Sequence, residues 1–220
     1  FPENCGDGIR HSIAAGYTAV ELDIRATKDG VLVLYHDDTA ERLSGLNEPV
    51  DALSFEELAR QPLRLNGNAT SSRLTRLDSA IDLCADGQLL YLDLKFTSTG
   101  LGDRLARMIL DKGAEQRVLV ASSDVLLLFH LEYHYPALNT VLEGFDAGEE
   151  WTWVFIPRKF KPDLVSSFGA EIDTKQLAWL KAQGLLRWKI AYGVDTASYR
   201  DLRDQGITRF IVDEDVGPLR

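Results

Sequence analysis

The sequence predicts an α/β fold, and more specifically a TIM-type (β/α)8 barrel. Short apolar runs alternate along the chain with stretches of helical periodicity, the order expected for a mainly parallel sheet covered by helices. The number of candidate strands, about seven or eight, favours a closed barrel over an open sheet. Because α/β barrels of roughly 200–250 residues form one domain, we predict a single domain over residues 1–220.

The predicted strands are short, apolar or alternating segments that are rich in β-branched and aromatic residues. Asp29-Gly30 is a tight-turn dipeptide, and the run that follows it, Val31 to Tyr35, is rich in β-forming residues. The predicted strands span residues 19–25, 31–35, 89–94, 117–121, 139–142, 153–156, 188–194 and 209–212.

The predicted helices have helical periodicity, and most of them end at a glycine. Ser54-Phe55-Glu56-Glu57 is a capping box that opens a short helix. The other helices span residues 5–15, 76–86, 102–112, 124–133, 174–183 and 196–205. A barrel normally begins with a strand, whereas this chain begins with a helix. We therefore expect the first strand to lie upstream of Phe1.

Residues 38–75 interrupt the alternation of strands and helices. This stretch is polar, with Asn66-Gly67-Asn68 and Ser71-Ser72, and follows the end of a predicted strand. We interpret it as a small insertion after the second strand region. Insertions at this point of a barrel lie beside its active face.

Composition and charge restrict the classes of partner. The net charge of −10 disfavours nucleic acid, but it leaves a phosphate substrate open because a bound metal inverts the local charge. No apolar run reaches the roughly 18 residues of a membrane span, and no signal peptide is visible. We expect a cytoplasmic protein without membrane association. A periplasmic or secreted location remains open if a leader is removed, and the oligomeric state is not predicted.

The two cysteines, Cys5 and Cys84, match neither a zinc motif nor a disulfide framework. We expect two buried thiols. A single disulfide in an oxidising compartment is the alternative.

Paired polar residues on two strands are the strongest candidates for chemistry. Glu21 and Asp23 project from one face of their strand, and Asp93 and Lys95 share a face of another. Carboxylates on a barrel strand require a counter-ion or a metal, and oxygen ligands suit Mg²⁺ or Ca²⁺. The alternatives are a solvated edge or a salt bridge for the first pair, and an internal ion pair for the second.

His36 follows a predicted strand and precedes Asp37-Asp38. It therefore lies at the end of a strand, where barrel enzymes carry their catalytic residues. Its ordinary pKa range suits acid–base work, although a surface histidine is the alternative. His130 and His134 are interpreted as one helix face, with a metal site as the less favoured reading. His11 lies in the first predicted helix.

Four elements near the start of the chain resemble the glycerophosphodiester phosphodiesterase family. They are Pro2-Glu3-Asn4, residues 16–23 (GYTAVELD), residues 27–33 (TKDGVLV) and His36-Asp37. Weaker agreement continues to the end of the chain, at Leu92-Asp93-Leu94-Lys95, Val120-Ala121-Ser122-Ser123, Tyr192-Gly193-Val194-Asp195, Gly206-Ile207 and Val212-Asp213.

The resemblance implies a barrel phosphodiesterase with one divalent cation, Mg²⁺ or Ca²⁺. Glu21 and Asp23 match the paired metal ligands, and Asp93 stands where the family usually has a third carboxylate, a Glu. Lys95 matches a lysine that contacts phosphate. His36 matches one of two histidines used for acid–base catalysis.

The resemblance also implies that Tyr192, where the family often has Trp, lines the substrate pocket. The family has a His-Arg pair on its first strand, some ten residues before Pro-Glu-Asn, which residues 1–220 do not contain. We expect that pair to lie upstream of Phe1, and the alternative is a protein that lacks half of its acid–base pair. The expected activity is metal-dependent hydrolysis of small glycerophosphodiesters to glycerol 3-phosphate and an alcohol. The alternatives are a phospholipase D-like lipid phosphodiesterase and a barrel that binds phosphate compounds without hydrolysing them.

Overall fold

In the computed structural model, which describes residues 1–84 and 87–212, the chain divides into two units, Phe1–Val120 and Ala121–Arg220. The first unit begins with a helix, as expected, and contains five strands and five helices before β6 (Val118–Ser122), which crosses the boundary. Its elements are α1 (Gly6–Ala14), β1 (Ala19–Ala26), β2 (Leu32–Leu34), α2 (Glu41–Ser44), α3 (Phe55–Ala59), β3 (Pro62–Leu65), β4 (Asn68–Arg73), α4 (Leu77–Leu83), β5 (Leu89–Leu94) and α5 (Thr99–Asp111).

Strand β1 lies between β2 and β5 in the sheet of the first unit. It pairs antiparallel with β2 through the turn at Asp29-Gly30, and parallel with β5. Gly30 has a φ of 74°, which glycine adopts without the steric penalty of a side chain. Because β1 and β5 are in register, Asp23 lies directly opposite Asp93. The register thus brings the two predicted pairs of polar residues to one place.

The segment 38–75 has an apolar interior beneath its polar surface. It contains α2, α3 and the antiparallel hairpin β3–β4, whose turn is formed by Asn66 and Gly67 with positive φ. Its buried side chains pack with those of Cys5, which precedes α1, and of Val33 and Tyr35, in and just after β2. The other members of this hydrophobic cluster are Ala40, Leu43, Val50, Leu58, Leu63 and Leu74. The segment is therefore packed onto β2 rather than being a loose loop.

The second unit alternates strands and helices. Strands β7, β8, β9 and β10 are neighbours in that order, and each adjacent pair is parallel. The elements are α6 (Val125–His134), β7 (Asn139–Leu142), α7 (Glu150–Phe155), β8 (Leu164–Phe168), α8 (Thr174–Ala182), β9 (Lys189–Tyr192), α9 (Thr196–Asp204) and β10 (Arg209–Phe210). Their buried side chains form two clusters, one around Val165 and one around Ala191.

The prediction of a strand at 153–156 is wrong, because these residues lie in and after helix α7. A four-residue apolar run fits a buried strand and a short helix equally well, and here the helix ends at Phe155, two residues before Pro157. The strand of this region is β8, which the sequence analysis missed because Ser166 and Ser167 interrupt its apolar pattern; both serines are buried. The last two residues of the helix predicted at 76–86 lie outside the described residues.

Both cysteines are buried and unpaired, as the first interpretation predicted. The Cys5 side chain accepts a hydrogen bond from the Gly8 amide and so caps α1, and burial raises the pKa of the Cys84 thiol. Among the described helices, none combines the length and the apolar character needed to cross a bilayer.

Candidate metal and acid–base site

Three carboxylates converge on the paired strands β1 and β5. Side-chain oxygens of Glu21, Asp23 and Asp93 all lie within 4.8 Å of one another, and this is the one such group of potential metal ligands within residues 1–84 and 87–212. Asp23 and Asp93 are buried, while Glu21 is half-buried. The same-face placement predicted for Glu21 and Asp23 and the parallel register with β5 together produce this cluster.

The three side chains fit a hard divalent cation. Mg²⁺ and Ca²⁺ bind carboxylate oxygens at about 2.0–2.6 Å, so ligand oxygens of one ion lie up to roughly 4–5 Å apart. The observed limit of 4.8 Å falls in that range. Buried carboxylates are unfavourable unless a positive charge compensates them, and a cation would provide that charge.

Lys95 directly follows β5 and contacts two of the three carboxylates. Its Nζ lies 3.1 Å from Asp23 Oδ1 and also donates a hydrogen bond to Asp93. Burial lowers the pKa of Lys95, but the hydrogen bond and charge of Asp93, together with Asp23, outweigh burial and raise it. Lys95 therefore remains charged, and the internal ion pair that the sequence left as an alternative is present beside the carboxylate cluster.

Asn4 fixes the position of Asp23. Its Nδ2 donates to Asp23 Oδ2 at 2.7 Å, and its Oδ1 accepts from the Asp23 amide at 2.9 Å. Asn4 has a φ of 52°, in the left-handed region that asparagine tolerates better than most residues. Pro2-Glu3-Asn4 is one of the motifs that carry the family resemblance, but no role was predicted for Asn4 from the sequence.

His36, the predicted acid–base residue, is held by a neighbouring acid. Its Nδ1 lies 2.9 Å from Asp37 Oδ1. Arg42, in α2, donates to Asp37 through Nε at 2.6 Å and through Nη2 at 2.9 Å, and it also donates to Glu3. The hydrogen bond from Arg42, despite the opposing effect of burial and with help from His36, lowers the pKa of Asp37 to about 2.

Arg25, at the end of β1, connects the segments that carry His36 and Lys95. Its Nε donates to the His36 carbonyl at 2.9 Å, and its Nη1 donates to the Lys95 carbonyl at 3.2 Å. Its remaining nitrogen pairs with Asp38 at 2.6 Å. One guanidinium thus binds the backbone carbonyls of two predicted site residues, a role that the sequence did not predict.

The other predicted residues lie in the second unit. Tyr192 ends β9, where its ring makes an edge contact with Phe168 at 5.8 Å between centroids; its role against substrate stays a prediction. His130 and His134 lie on α6 with ring centroids 4.6 Å apart, consistent with one helix face. Asp213, which belongs to the last segment that resembles the family, lies outside the described residues.

A model of the glycerophosphoryl diester phosphodiesterase family matches residues 1–214 of the chain. A glycerophosphodiester phosphodiesterase of Bacillus altitudinis is 26% identical over 139 residues, which cover 59% of this chain and 57% of the relative. A lysophospholipase D of Mus musculus is 43% identical over 56 residues, which cover 26% of this chain and 17% of the relative. The chain thus spans little more than half the length of the Bacillus relative it matches.

A solved structure shares the fold. A phosphodiesterase from Oleispira antarctica, in complex with its product sn-glycerol-3-phosphate, superposes with a TM-score of 0.81 at 19% identity, covering 96% of this chain and 87% of that chain. This likeness confirms the predicted fold class, an α/β fold of the TIM-barrel type.

Proposed function

The chain belongs to the glycerophosphoryl diester phosphodiesterase family, and from that membership we propose that it hydrolyses small glycerophosphodiesters to glycerol 3-phosphate and an alcohol with the help of one divalent cation, Mg²⁺ or Ca²⁺. The observation that carries the proposal is the convergence of Glu21, Asp23 and Asp93 within 4.8 Å. The Bacillus relative bears the same activity in its name, and the Oleispira structure contains glycerol 3-phosphate as its product.

Each residue of the site has a distinct task in the proposed reaction. Glu21, Asp23 and Asp93 would hold the cation, which, when bound, neutralises phosphate charge and polarises phosphorus. Lys95 supplies a compact positive charge for a phosphate oxygen. His36 moves a proton, either from the attacking hydroxyl or to the leaving alcohol.

The aspartate at position 93 reaches the cluster although the resemblance implies a longer glutamate there. Asp93 lies directly opposite Asp23 across the parallel pair of strands. Its carboxylate is close enough to share the Lys95 ammonium with Asp23. The direct register therefore supports Asp93 as a third ligand in spite of its shorter side chain.

Substitution of Glu21 tests the assignment most sharply. Glu21→Gln preserves the shape of the side chain and removes the charge that a hard cation requires, so metal-dependent turnover of glycerophosphocholine by the full-length natural protein should be lost. Glu56→Gln is the matched control, because Glu56 is exposed and pairs only with Arg60 in the described chain. Retained turnover in Glu21→Gln would overturn the ligand assignment. Binding of glycerol phosphate without release of alcohol would favour the barrel that only binds phosphate compounds.

The surface of α7 favours a second candidate, a lipid phosphodiester substrate presented at a membrane surface. Trp151, Val154 and Phe155 are 60%, 68% and 77% exposed, and Arg158 and Lys159 follow with exposed side chains. Exposed aromatic residues beside basic residues suit the interface of an anionic bilayer. The short match to a lysophospholipase D agrees with this substrate class.

Vesicle binding separates the two candidates. If the substrate is a membrane lipid, the protein should sediment with vesicles of mixed phosphatidylcholine and phosphatidylglycerol, and the double change Trp151→Ser with Phe155→Ser should abolish sedimentation. Leu110→Ser, at an exposed leucine of α5, is the matched control. Absence of sedimentation, or sedimentation unaffected by the double change, would leave the soluble glycerophosphodiester as the substrate class.

A further inference from the structure

The proposed reaction requires His36 to present one defined nitrogen to the substrate, and the surrounding residues restrict the ring in a specific way. The imidazole is half exposed, with a side-chain exposure of 55%, so packing alone does not fix its orientation. The hydrogen bond between His36 Nδ1 and Asp37 Oδ1 ties the ring to the carboxylate of the next residue.

Asp37 is in turn fixed by Arg42. The guanidinium contacts both carboxylate oxygens of Asp37 through two nitrogens, in the bidentate geometry that gives arginine–carboxylate pairs their directional strength. Two nitrogens of the same guanidinium also reach the carboxylate of Glu3, at 3.0 and 2.5 Å. One arginine thus joins two carboxylates that lie far apart in the sequence.

We propose that Asp37 is a positioning residue that orients His36 and fixes its tautomer, and that Arg42 and Glu3 hold Asp37 for this purpose. This inference rests on the proposed function, in which His36 transfers a proton. It assigns to the segment 38–75 a task in the reaction, since α2 of that segment supplies Arg42.

The tautomer follows from the charge state of Asp37. Since the Arg42 hydrogen bonds keep the pKa of Asp37 at about 2, the carboxylate is ionised at neutral pH and only accepts hydrogen bonds. The hydrogen between the two groups therefore resides on His36 Nδ1. In the neutral ring this leaves Nε2 as the nitrogen that takes up a proton, as in acid–histidine pairs generally.

Glu3 and Asn4 connect the two halves of the site through adjacent residues. Glu3 binds Arg42, which holds the acid–base side, and Asn4 binds Asp23, which belongs to the carboxylate cluster. The proposed orientation of His36 is therefore linked to the same short segment that fixes a metal ligand.

A double-mutant cycle on the full-length natural protein, loaded with Mg²⁺ or Ca²⁺, tests the positioning role with glycerophosphocholine as substrate. Asp37→Ala should lower kcat by at least about 10-fold, since loss of a group that orients a catalytic histidine has large effects. In a His36→Gln background, the same change should alter kcat by less than about 2-fold, because the ring it orients is gone. An equal loss in both backgrounds, or no loss in the first, would overturn the proposal.

Asp78→Ala is the matched control for this cycle. It removes another aspartate whose pKa is lowered chiefly by an arginine hydrogen bond, in this case from Arg76. Asp78 takes no part in the site, so kcat should be unchanged. A loss in Asp78→Ala equal to that in Asp37→Ala would show that breaking any such pair disturbs the enzyme, and it would overturn the specific role of Asp37.

Nitrogen NMR of the His36 ring tests the same proposal without any turnover. The His36 signals are identified by their absence in His36→Gln. The natural protein should show the Nδ1–H tautomer, Asp37→Ala should shift the population toward Nε2–H, and Arg42→Ala should shift it partly. An Nε2–H ring in the natural protein would overturn the proposal. If the natural protein releases no alcohol, the hydrolytic function fails, and the tautomer still decides the positioning role.

Discussion

Asn4 binds both the backbone and the side chain of Asp23, with its amide nitrogen 2.7 Å from Asp23 Oδ2 and its amide oxygen 2.9 Å from the Asp23 nitrogen. One carboxylate oxygen of Asp23 is thus engaged by Asn4, and the other lies 3.1 Å from Lys95 Nζ. Residues that orient a metal ligand tune affinity without touching the metal. In the proposed metal site, Asn4 would have this relationship to Asp23.

Asn4→Ala should weaken metal binding by about 10–100-fold, because it releases a proposed ligand from its orientation. It should also lower the free energy of unfolding by about 1–3 kcal/mol, since the Asp23 amide loses its partner. Calorimetric titration with Mg²⁺ or Ca²⁺ and urea unfolding measure the two effects.

Asn66→Ala is the control for that change. Asn66 is the other described asparagine with positive φ, at 51°, and it lies in the turn of the β3–β4 hairpin. The substitution imposes a similar backbone penalty away from the site, so stability should fall while metal affinity stays unchanged. Equal metal affinity in Asn4→Ala and Asn66→Ala would contradict the orienting role of Asn4.

The ion pair between Asp37 and Arg42 should contribute to stability in a defined pH range. The folded-state pKa of Asp37 is about 2, below its ordinary value of 3.8, so the contribution is present above about pH 4 and is lost as the pH falls toward 2. The difference in unfolding free energy between the natural protein and Asp37→Asn should be present at pH 5 and should narrow below about pH 4. Urea unfolding across that range measures this difference in free energy. A difference that grows as the pH falls below 4 would contradict a stabilising ion pair between Asp37 and Arg42.

Lys189 on β9 is fully buried, and its Nζ donates to the Phe145 carbonyl at 2.8 Å. Burial lowers its pKa to about 7 although the charges of Asp146 and Glu150 oppose this effect. Lys189→Met should therefore raise stability at neutral pH by about 1–4 kcal/mol, because the Phe145 carbonyl keeps its hydrogen bond from Gln176.

The gain in Lys189→Met should depend on pH. The destabilising effect of the lysine is complete below about pH 7 and disappears as the pH rises toward its ordinary pKa of 10.5. The difference in unfolding free energy should therefore shrink between pH 7 and pH 10. A variant that is less stable than the natural protein at pH 7, or a difference that is independent of pH, would contradict this reasoning.

The capping box at the start of α3 gives a prediction about the segment 38–75. Ser54 accepts from the Glu57 amide, and the Glu57 carboxylate accepts from the Ser54 amide. Ser54→Ala should lower the free energy of unfolding by about 1 kcal/mol, measured by urea unfolding. Ser71→Ala, at an exposed serine of β4, should leave it nearly unchanged. Equal effects of the two changes would argue against the cap.

The pair of Glu21 and Asp23 could be predicted because its signal is local, whereas the place of Asp93 beside them was implied by the family resemblance. Residues two apart on a strand share a face, and two such strands in parallel register bring Glu21, Asp23 and Asp93 together. Asn4 and Arg42 were missed for the opposite reason. Their partners Asp23 and Glu3 lie 19 and 39 residues away, and no periodicity or spacing links residues over such distances.

The elements of the second unit show a different limit of sequence reasoning. The apolar run at 153–156 lies at the end of helix α7, where Trp153 and Ile156 are buried while Val154 and Phe155 are exposed. Strand β8 was missed because two serines occupy buried positions. In both places, tertiary packing decides between structures that the local pattern permits equally.

The most direct test of the central claim is phosphorus NMR of glycerophosphocholine incubated with the full-length natural protein, first with a chelator and then after addition of Mg²⁺ or Ca²⁺. We expect the phosphodiester signal to persist with the chelator and to be replaced by that of glycerol 3-phosphate once the cation is added. Equal conversion in the presence of the chelator, or formation of phosphocholine in place of glycerol 3-phosphate, would contradict this expectation.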